Sequence, residues 1–440
     1  MTLARLGEGL SQLPLRAAIT RSLSQSDLRT RLPMTSSFIT SNEQSRGHAF
    51  LKTWAPSFFC VLAGFLSAFT IPIVGQLPVA ELILLAVLPW VVVRAFSCRG
   101  WPTRFQQLGW YKMLVVLIGV MAIGYIMSDL YRGTSGGNLA RGWARVAFLG
   151  IDLVTIAYLI DGSWGRLQVF ALTLYIGGIV NAFVYGPLYD RWWEFGIGPA
   201  LIAFALFFCA GLPIVFQMVV ALALGVLSLS LGGRSLGGVS FMTGALLGLR
   251  YARGFMRPFA FLAVAGAMVA LVFGASKAME DNPDKISSNI ERRSMLETAC
   301  EAFVSSPLVG QGSWFTAAKG LRAVEEHREG LDPSFHGYSD EEARNLSIHS
   351  QLLVSLAEGG ILGGSFFIFY GAFLSKTLRS LTRSPVPHRA FIFYIVIDGL
   401  WNLCMSPFSG GARLTIALAV CACLLVVLQR QGELSEEYRE

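Results

Sequence analysis

The stretch NLSIHSQLLVSLAEGGILGG, Asn345 to Gly364, marks where a long polar segment gives way to an apolar, glycine-studded run. The apolar character persists to about Ser375, more than the ~20 residues that cross a bilayer as a helix. A titratable ring, His349, stands at the boundary. Working outward, apolar runs of similar length recur along the chain.

Composition agrees. Of 440 residues 54% are hydrophobic and only 14% charged, whereas soluble proteins carry roughly 25% charged residues. The sequence therefore predicts an all-α polytopic membrane protein. Runs between breakers give about twelve spans. The first six are Ala55–Gly75, Leu77–Phe96, Leu108–Ser128, Arg145–Ile160, Leu167–Tyr185 and Gly196–Cys209. The others are Leu212–Leu231, Val239–Leu249, Phe259–Ser276, Ile348–Ser375, Ala390–Met405 and Leu414–Leu428.

Five regions follow: a basic tail over 1–53, nine spans over 54–276, a polar loop over 277–347, three spans over 348–429, and a tail over 430–440. The first fifty residues are rich in Ser, Thr and Arg and have no apolar core. They resemble a transit peptide in composition, but read better as a disordered basic tail held against anionic lipid than as a cleaved signal. Eleven Lys and Arg fall in short loops on the N-terminal side against six on the other. The positive-inside rule then puts both termini in the cytoplasm and the long loop outside. That bias accounts for the net charge of +7, so nucleic acid is not called for. Six of the seven cysteines lie in apolar segments, which excludes a disulfide framework.

Few residues outside the membrane can do chemistry. His349 falls near a helix start that Asn345 or Ser347 can cap, where the helix dipole favours a neutral imidazole able to act as base. At 100° per residue, Glu358 lies on the opposite face. An acid in a span is costly, and Glu358 is expected to pair with another helix. Gly359/Gly363 and Gly360/Gly364 suit close helix packing. Arg234, in LSLGGRSLGGVS, sits among glycines whose amides with its guanidinium resemble an anion cradle. In SSNIERRSMLETACEAFVSSPLVGQGSWF an amphipathic helix follows Ile290 and ends before Pro307. Arg292 and Arg293 then occupy its first turn, where they oppose the dipole and suit an anion. The turn after it, with Gly310 and Gly312, is free to approach a substrate. Arg141 and Arg145 lead into the fourth span from the same side, and Asp398 and Asn402 are polar groups inside the eleventh. His327, His336 and the acids near them match no metal-ligand spacing.

Three stretches in order resemble the O-antigen ligase and O-antigen (exopolysaccharide) polymerase superfamily of bacterial inner-membrane glycosyltransferases. They are GGRS around Arg234, Arg292 with the P-x-x-G-x-G from Pro307 to Gly312, and H-S-x-L-x-x-L-A-E-x-G-x-x-G from His349 to Gly363. They cover about Leu229–Phe373, and the first half of the chain matches by hydropathy alone. Two positions depart from the family's pattern: Ser350 stands where Asn commonly follows the histidine, and Gly233 where a serine precedes the arginine. The resemblance implies a GT-C-like enzyme with no cofactor and no metal. Its donor would be an undecaprenyl-diphosphate-linked glycan and its acceptor a second glycan or lipid A core. Membrane lipids and other polysaccharide-assembly proteins are the implied partners. In it His349 would be the base, and Arg234 and Arg292 would hold the diphosphate. Arg293, Arg145, Arg141, Gly310, Gly312 and Ser350 would contact substrate. Polymerisation of repeat units is the first expectation, and ligation to lipid A core the second. Transport of a lipid-linked or anionic substrate is a third, although no internal repeat favours it.

Overall fold

The computed structural model describes residues 54–72, 76–97, 104–185, 193–251, 283–315, 325, 329, 348–381 and 386–432. The tail over 1–53, the ninth span Phe259–Ser276, most of 316–347 and the final residues lie outside the described residues.

In chain order the elements are α1 (Trp54–Leu66), a hairpin of β1 (Thr70–Pro72) and β2 (Gln76–Pro78), α2 (Val79–Ser97), α3 (Arg104–Gln107), α4 (Gly109–Arg132), α5 (Gly136–Ile160) and α6 (Trp164–Tyr185). A π-helical turn, Trp193–Ile197, leads into α7 (Gly198–Phe208), followed by α8 (Ile214–Ser230) and α9 (Arg234–Tyr251). Then come α10 (Pro283–Ser305), α11 (Gln351–Leu381), α12 (Arg389–Met405) and α13 (Gly410–Gln431). Apart from the hairpin, the described chain is helical.

Among the described residues five helices are long and apolar enough to cross a membrane: α4, α5, α6, α11 and α13. α13 is the centre. It packs against α5, α6, α11 and α12, and 78% of its apolar window is buried against 28% for α6. Its sequence, LTIALAVCACLLVVL, is apolar all round, as a helix surrounded by others must be. α4 is two-faced. Leu114, Ile118, Met121 and Tyr125 are buried against α5 and α11, while Met113, Val116, Ile123, Met127 and Leu130 are exposed at helical spacing. Apolar residues on both faces mark a helix lined on one side by protein and on the other by lipid.

Four boundaries differ from the sequence reading, each for a local reason. The first span does not run to Gly75: α1 stops at Leu66 and the chain turns into a hairpin, pairing Thr70 with Pro78 and Ile71 with Leu77. Pro72, Gly75 and Pro78 break a helix there, and prolines are tolerated at the ends of so short an edge pair. The fourth span starts earlier, at Gly136, so Arg141 and Arg145 lie inside α5 rather than ahead of it. The eighth begins at Arg234 instead of Val239. The loop helix starts at Pro283, a favoured first helical residue. Arg292 and Arg293 are therefore in its third turn, and the dipole opposes neither.

Candidate functional site

α11 does not run unbroken. Gly360 has φ 64° and ψ −160°, a region that only glycine enters readily. The break frees carbonyls of the preceding turn, and the Pro307–Trp314 segment fills them. Gln311 N donates to Ala357 O at 2.8 Å, Gly312 N to Glu358 O at 3.0 Å, and Ile361 N to Pro307 O at 2.8 Å. The contact is backbone on backbone. A Cβ on Gly310 (φ 81°) would meet the Glu358 carbonyl and the Gly360 nitrogen, and one on Gly360 would meet the carbonyls of Leu308 and Pro307. Gly310 and Gly312 thus hold the loop to the helix.

Two buried carboxylates secure this joint. Glu358 Oε1 accepts from Trp314 N (2.9 Å), and Oε2 from Tyr125 OH (2.9 Å) and from the Arg145 guanidinium. Asp129, near the end of α4, accepts from Ser313 N (2.6 Å), Ser313 Oγ (2.7 Å) and Trp143 Nε1 (2.8 Å). Ser128 Oγ donates to Glu358 O and accepts from Gly312 N. Arg132 Nε donates to Gly310 O at 3.0 Å. Glu358 and Asp129 are 3% and 1% exposed, and a buried charge persists only where paired and hydrogen-bonded like this.

The expected pairing of Glu358 with another helix is thus to Arg145 of α5. Gly359 and Gly363 seat α11 on Tyr125 of α4, as small residues at a helix crossing should. Gly360 has a different job, the break itself.

His349 lies before α11. The helix is capped by Ser350, whose Oγ accepts from Leu353 N at 3.2 Å and donates to Leu403 O at 3.2 Å. Neither Asn345 nor Ser347 is the cap, because Ser350 immediately precedes the first helical residue and its hydroxyl reaches the Leu353 amide. Ser350 is buried and spent on capping. His349 is half-buried, and its pKa is held below the usual imidazole value by burial and then by the positive charge of Arg292. A depressed pKa leaves the ring neutral at neutral pH, with a lone pair to accept a proton. The neutrality expected from a helix terminus arises instead from burial and a neighbouring cation.

Arg292 and Arg293 part company. Arg292 is half-buried and acts on His349. Arg293 is 81% exposed and pairs through Nε with Glu297 Oε1 at 2.7 Å, one helical turn on, which also raises its pKa.

Arg234, the first residue of α9, is half-buried. The amides ahead of it are not open to an anion, contrary to the expected cradle. Gly232 N donates to Leu229 O, Gly233 N to Ser228 O at 2.8 Å and Arg234 N to Gly232 O. The two glycines spend their donors closing α8, leaving the guanidinium as the local anion-binding group. α9 packs on α12, where a Cβ on Gly238 would lie 3.9 Å from the Trp401 ring. Leu403, two residues on, receives the Ser350 hydroxyl. Arg234, Arg292 and His349 therefore share one end of the bundle.

Arg141 is exposed and stands 5.8 Å from the Trp314 ring centroid; buried Arg145 is 5.4 Å from the same ring. Arg145 is neutralised by Glu358, so its charge serves the joint. Asp398 accepts from Asn402 Nδ2 at 2.9 Å within α12. Arg413, expected in an external loop, is buried in the first turn of α13, with two 2.7 Å bonds to Glu81 of α2. His327 and His336 lie outside the described residues.

The sequence reading passed over Tyr125, Ser128, Asp129 and Arg132. Their spacing of three, one and three residues puts a polar stripe on the last two turns of an otherwise apolar span, a signal open to detection. Trp143 and Ser313 carried no such sign. No family model matches the chain, and no curated protein matches it.

Proposed function

We propose that this chain is a metal-independent, inverting membrane glycosyltransferase acting on a glycan carried by undecaprenyl diphosphate, and that it polymerises repeat units of a cell-surface polysaccharide. The observation that carries the reading is the pairing of a neutral, half-buried His349 with Arg292 at one end of an apolar bundle, with Arg234 at the same end. An acceptor sugar hydroxyl attacks the anomeric carbon and gives its proton to the His349 ring. The bond from that carbon to the diphosphate oxygen breaks with inversion, and undecaprenyl diphosphate leaves as the anion. Charge develops on the leaving oxygen, where Arg292 and Arg234 stabilise it. General-base help of this kind contributes about 10²–10⁴-fold.

The reading places the chain in the O-antigen ligase and polymerase superfamily, with about twelve spans in the bacterial inner membrane. Both termini are cytoplasmic, and the loop between the ninth and tenth spans is periplasmic. The break at Gly360 supports it, since the joint holds α10, and with it Arg292, against the helix that begins beside His349. The test is incubation of purified protein with lipid-linked repeat units, with and without lipid A core. Chain growth on the carrier supports polymerisation. Transfer only to core assigns the same chemistry to a ligase. No covalent product, together with movement of the intact donor across liposomes, replaces the reading with transport.

A further inference from the structure

At the end of the bundle away from His349, a cavity of about 540 Å³ opens between the start of α4 and the ends of α11 and α13. Its lining includes Trp110, Phe373, Lys376, Ser380, Val427 and Arg430. The volume falls within the roughly 300–1,000 Å³ typical of ligand sites. One wall is apolar: Trp110 stacks on Phe373 with centroids 4.9 Å apart and planes inclined by 20°. The other is cationic. Lys376 Nζ stands 4.5 Å from the Trp110 centroid, and Arg430 donates one bond, from a terminal nitrogen to Ser380 Oγ at 2.7 Å.

The charge is unbalanced. The lining holds two cations and no carboxylate, and among the described residues neither cation meets an acid. Basic residues in the last turns of helices are favoured by the dipole, which accounts for one cation on each helix. It does not account for two of them converging from separate helices on one cavity. A guanidinium has five N–H donors and an ammonium three. One is committed to Ser380, and the rest suit the oxygens of a phosphate. Trp and basic side chains at helix ends belong at headgroup depth.

We propose that this cavity binds a phosphate, and specifically the headgroup of an anionic phospholipid. Lys376 and Arg430 hold the phosphate, and the upper acyl chain lies along Trp110, Phe373 and Val427. The apolar wall favours a lipid over free phosphate, which has nothing to lay against it. The bound lipid would tie α4, α11 and α13 together at the end remote from His349. The site does not depend on the glycosyltransferase reading, and either can fail alone.

The test is native mass spectrometry of the purified protein in detergent, titrated with phosphatidylglycerol, phosphatidylcholine or inorganic phosphate. The variants are Lys376→Gln/Arg430→Gln and, as a control, Lys112→Gln, an exposed lysine on α4 outside the lining. Melting temperatures without lipid establish that each variant is folded. The expected result is preferential retention of phosphatidylglycerol, weakened roughly thirty-fold by the double variant and unchanged by Lys112→Gln. Lys376→Glu, which keeps one cation but reverses the other, should weaken it further than Lys376→Gln. Inorganic phosphate binding that is lost in the double variant, without lipid preference, keeps the phosphate site and assigns it to a soluble anion. Equal retention of phosphatidylglycerol by wild type and the folded double variant, or equal retention of phosphatidylcholine, overturns the proposal.

Discussion

The two ends of the first segment of α11 are built on opposite principles. At Glu358 and Gly360 every polar group is spent: the carboxylate takes three donors, its carbonyl two, and the Pro307–Trp314 turn closes the break with backbone bonds. At His349 the ring stands ahead of the cap, half-buried, beside a cation. A saturated network fixes geometry and has nothing left to offer a substrate. An unsaturated one has donors and a lone pair in reserve. The difference sorts the arginines as well, with Arg145 belonging to the joint and Arg292 to the chemical end.

The largest expected effect lies at the saturated end. Glu358→Ala strips a buried guanidinium of its partner and should cost about 3–5 kcal/mol, read as a fall in melting temperature in detergent. Arg145→Met/Glu358→Leu together should cost less than the sum of the single changes. Additive losses would mean that the pair is not coupled. Next come Gly310→Ala and Gly360→Ala. Each puts a side chain at positive φ, worth about 1–3 kcal/mol, and against backbone atoms as well. Full stability in either variant would deny the joint its role.

At the other end the effects are on pH dependence. Because Arg292 holds the His349 pKa down, the ring remains neutral, and an active base, to a lower pH than an ordinary histidine. Arg292→Gln should raise that pKa, so the acid limb of the rate profile moves to higher pH as well as the rate falling. Arg293→Gln should leave the limb where it is, since Arg293 pairs with Glu297 in solvent; an equal shift in both variants would undo the separation of the two arginines. The smallest change belongs to Arg141→Ala, exposed over Trp314, with about 0.5–1 kcal/mol of cation–π attraction at stake.

The sequence reading anticipated the helical membrane architecture, since apolar runs of bilayer length declare themselves. It also anticipated an interhelical partner for Glu358, because an acid in a span seldom stands alone. What it missed is physical in origin. A positive φ at Gly360 leaves no trace in composition, so four glycines looked alike when one breaks the helix. The glycines before Arg234 looked like open donors, but the end of α8 consumes them. Arg413 looked like a loop cation until Glu81, more than three hundred residues away in sequence, was brought beside it. Pairings between distant spans are set by packing, which periodicity within one span does not encode.

The central claim is that the unsaturated end does the chemistry and the saturated end only holds it. It is tested most directly by comparing wild type with His349→Ala in purified form, on lipid-linked repeat units, with melting temperatures measured on the same samples. The account predicts product formation reduced by about 10²–10⁴-fold at an unchanged melting temperature. Product formed at the wild-type rate by the folded variant would contradict it.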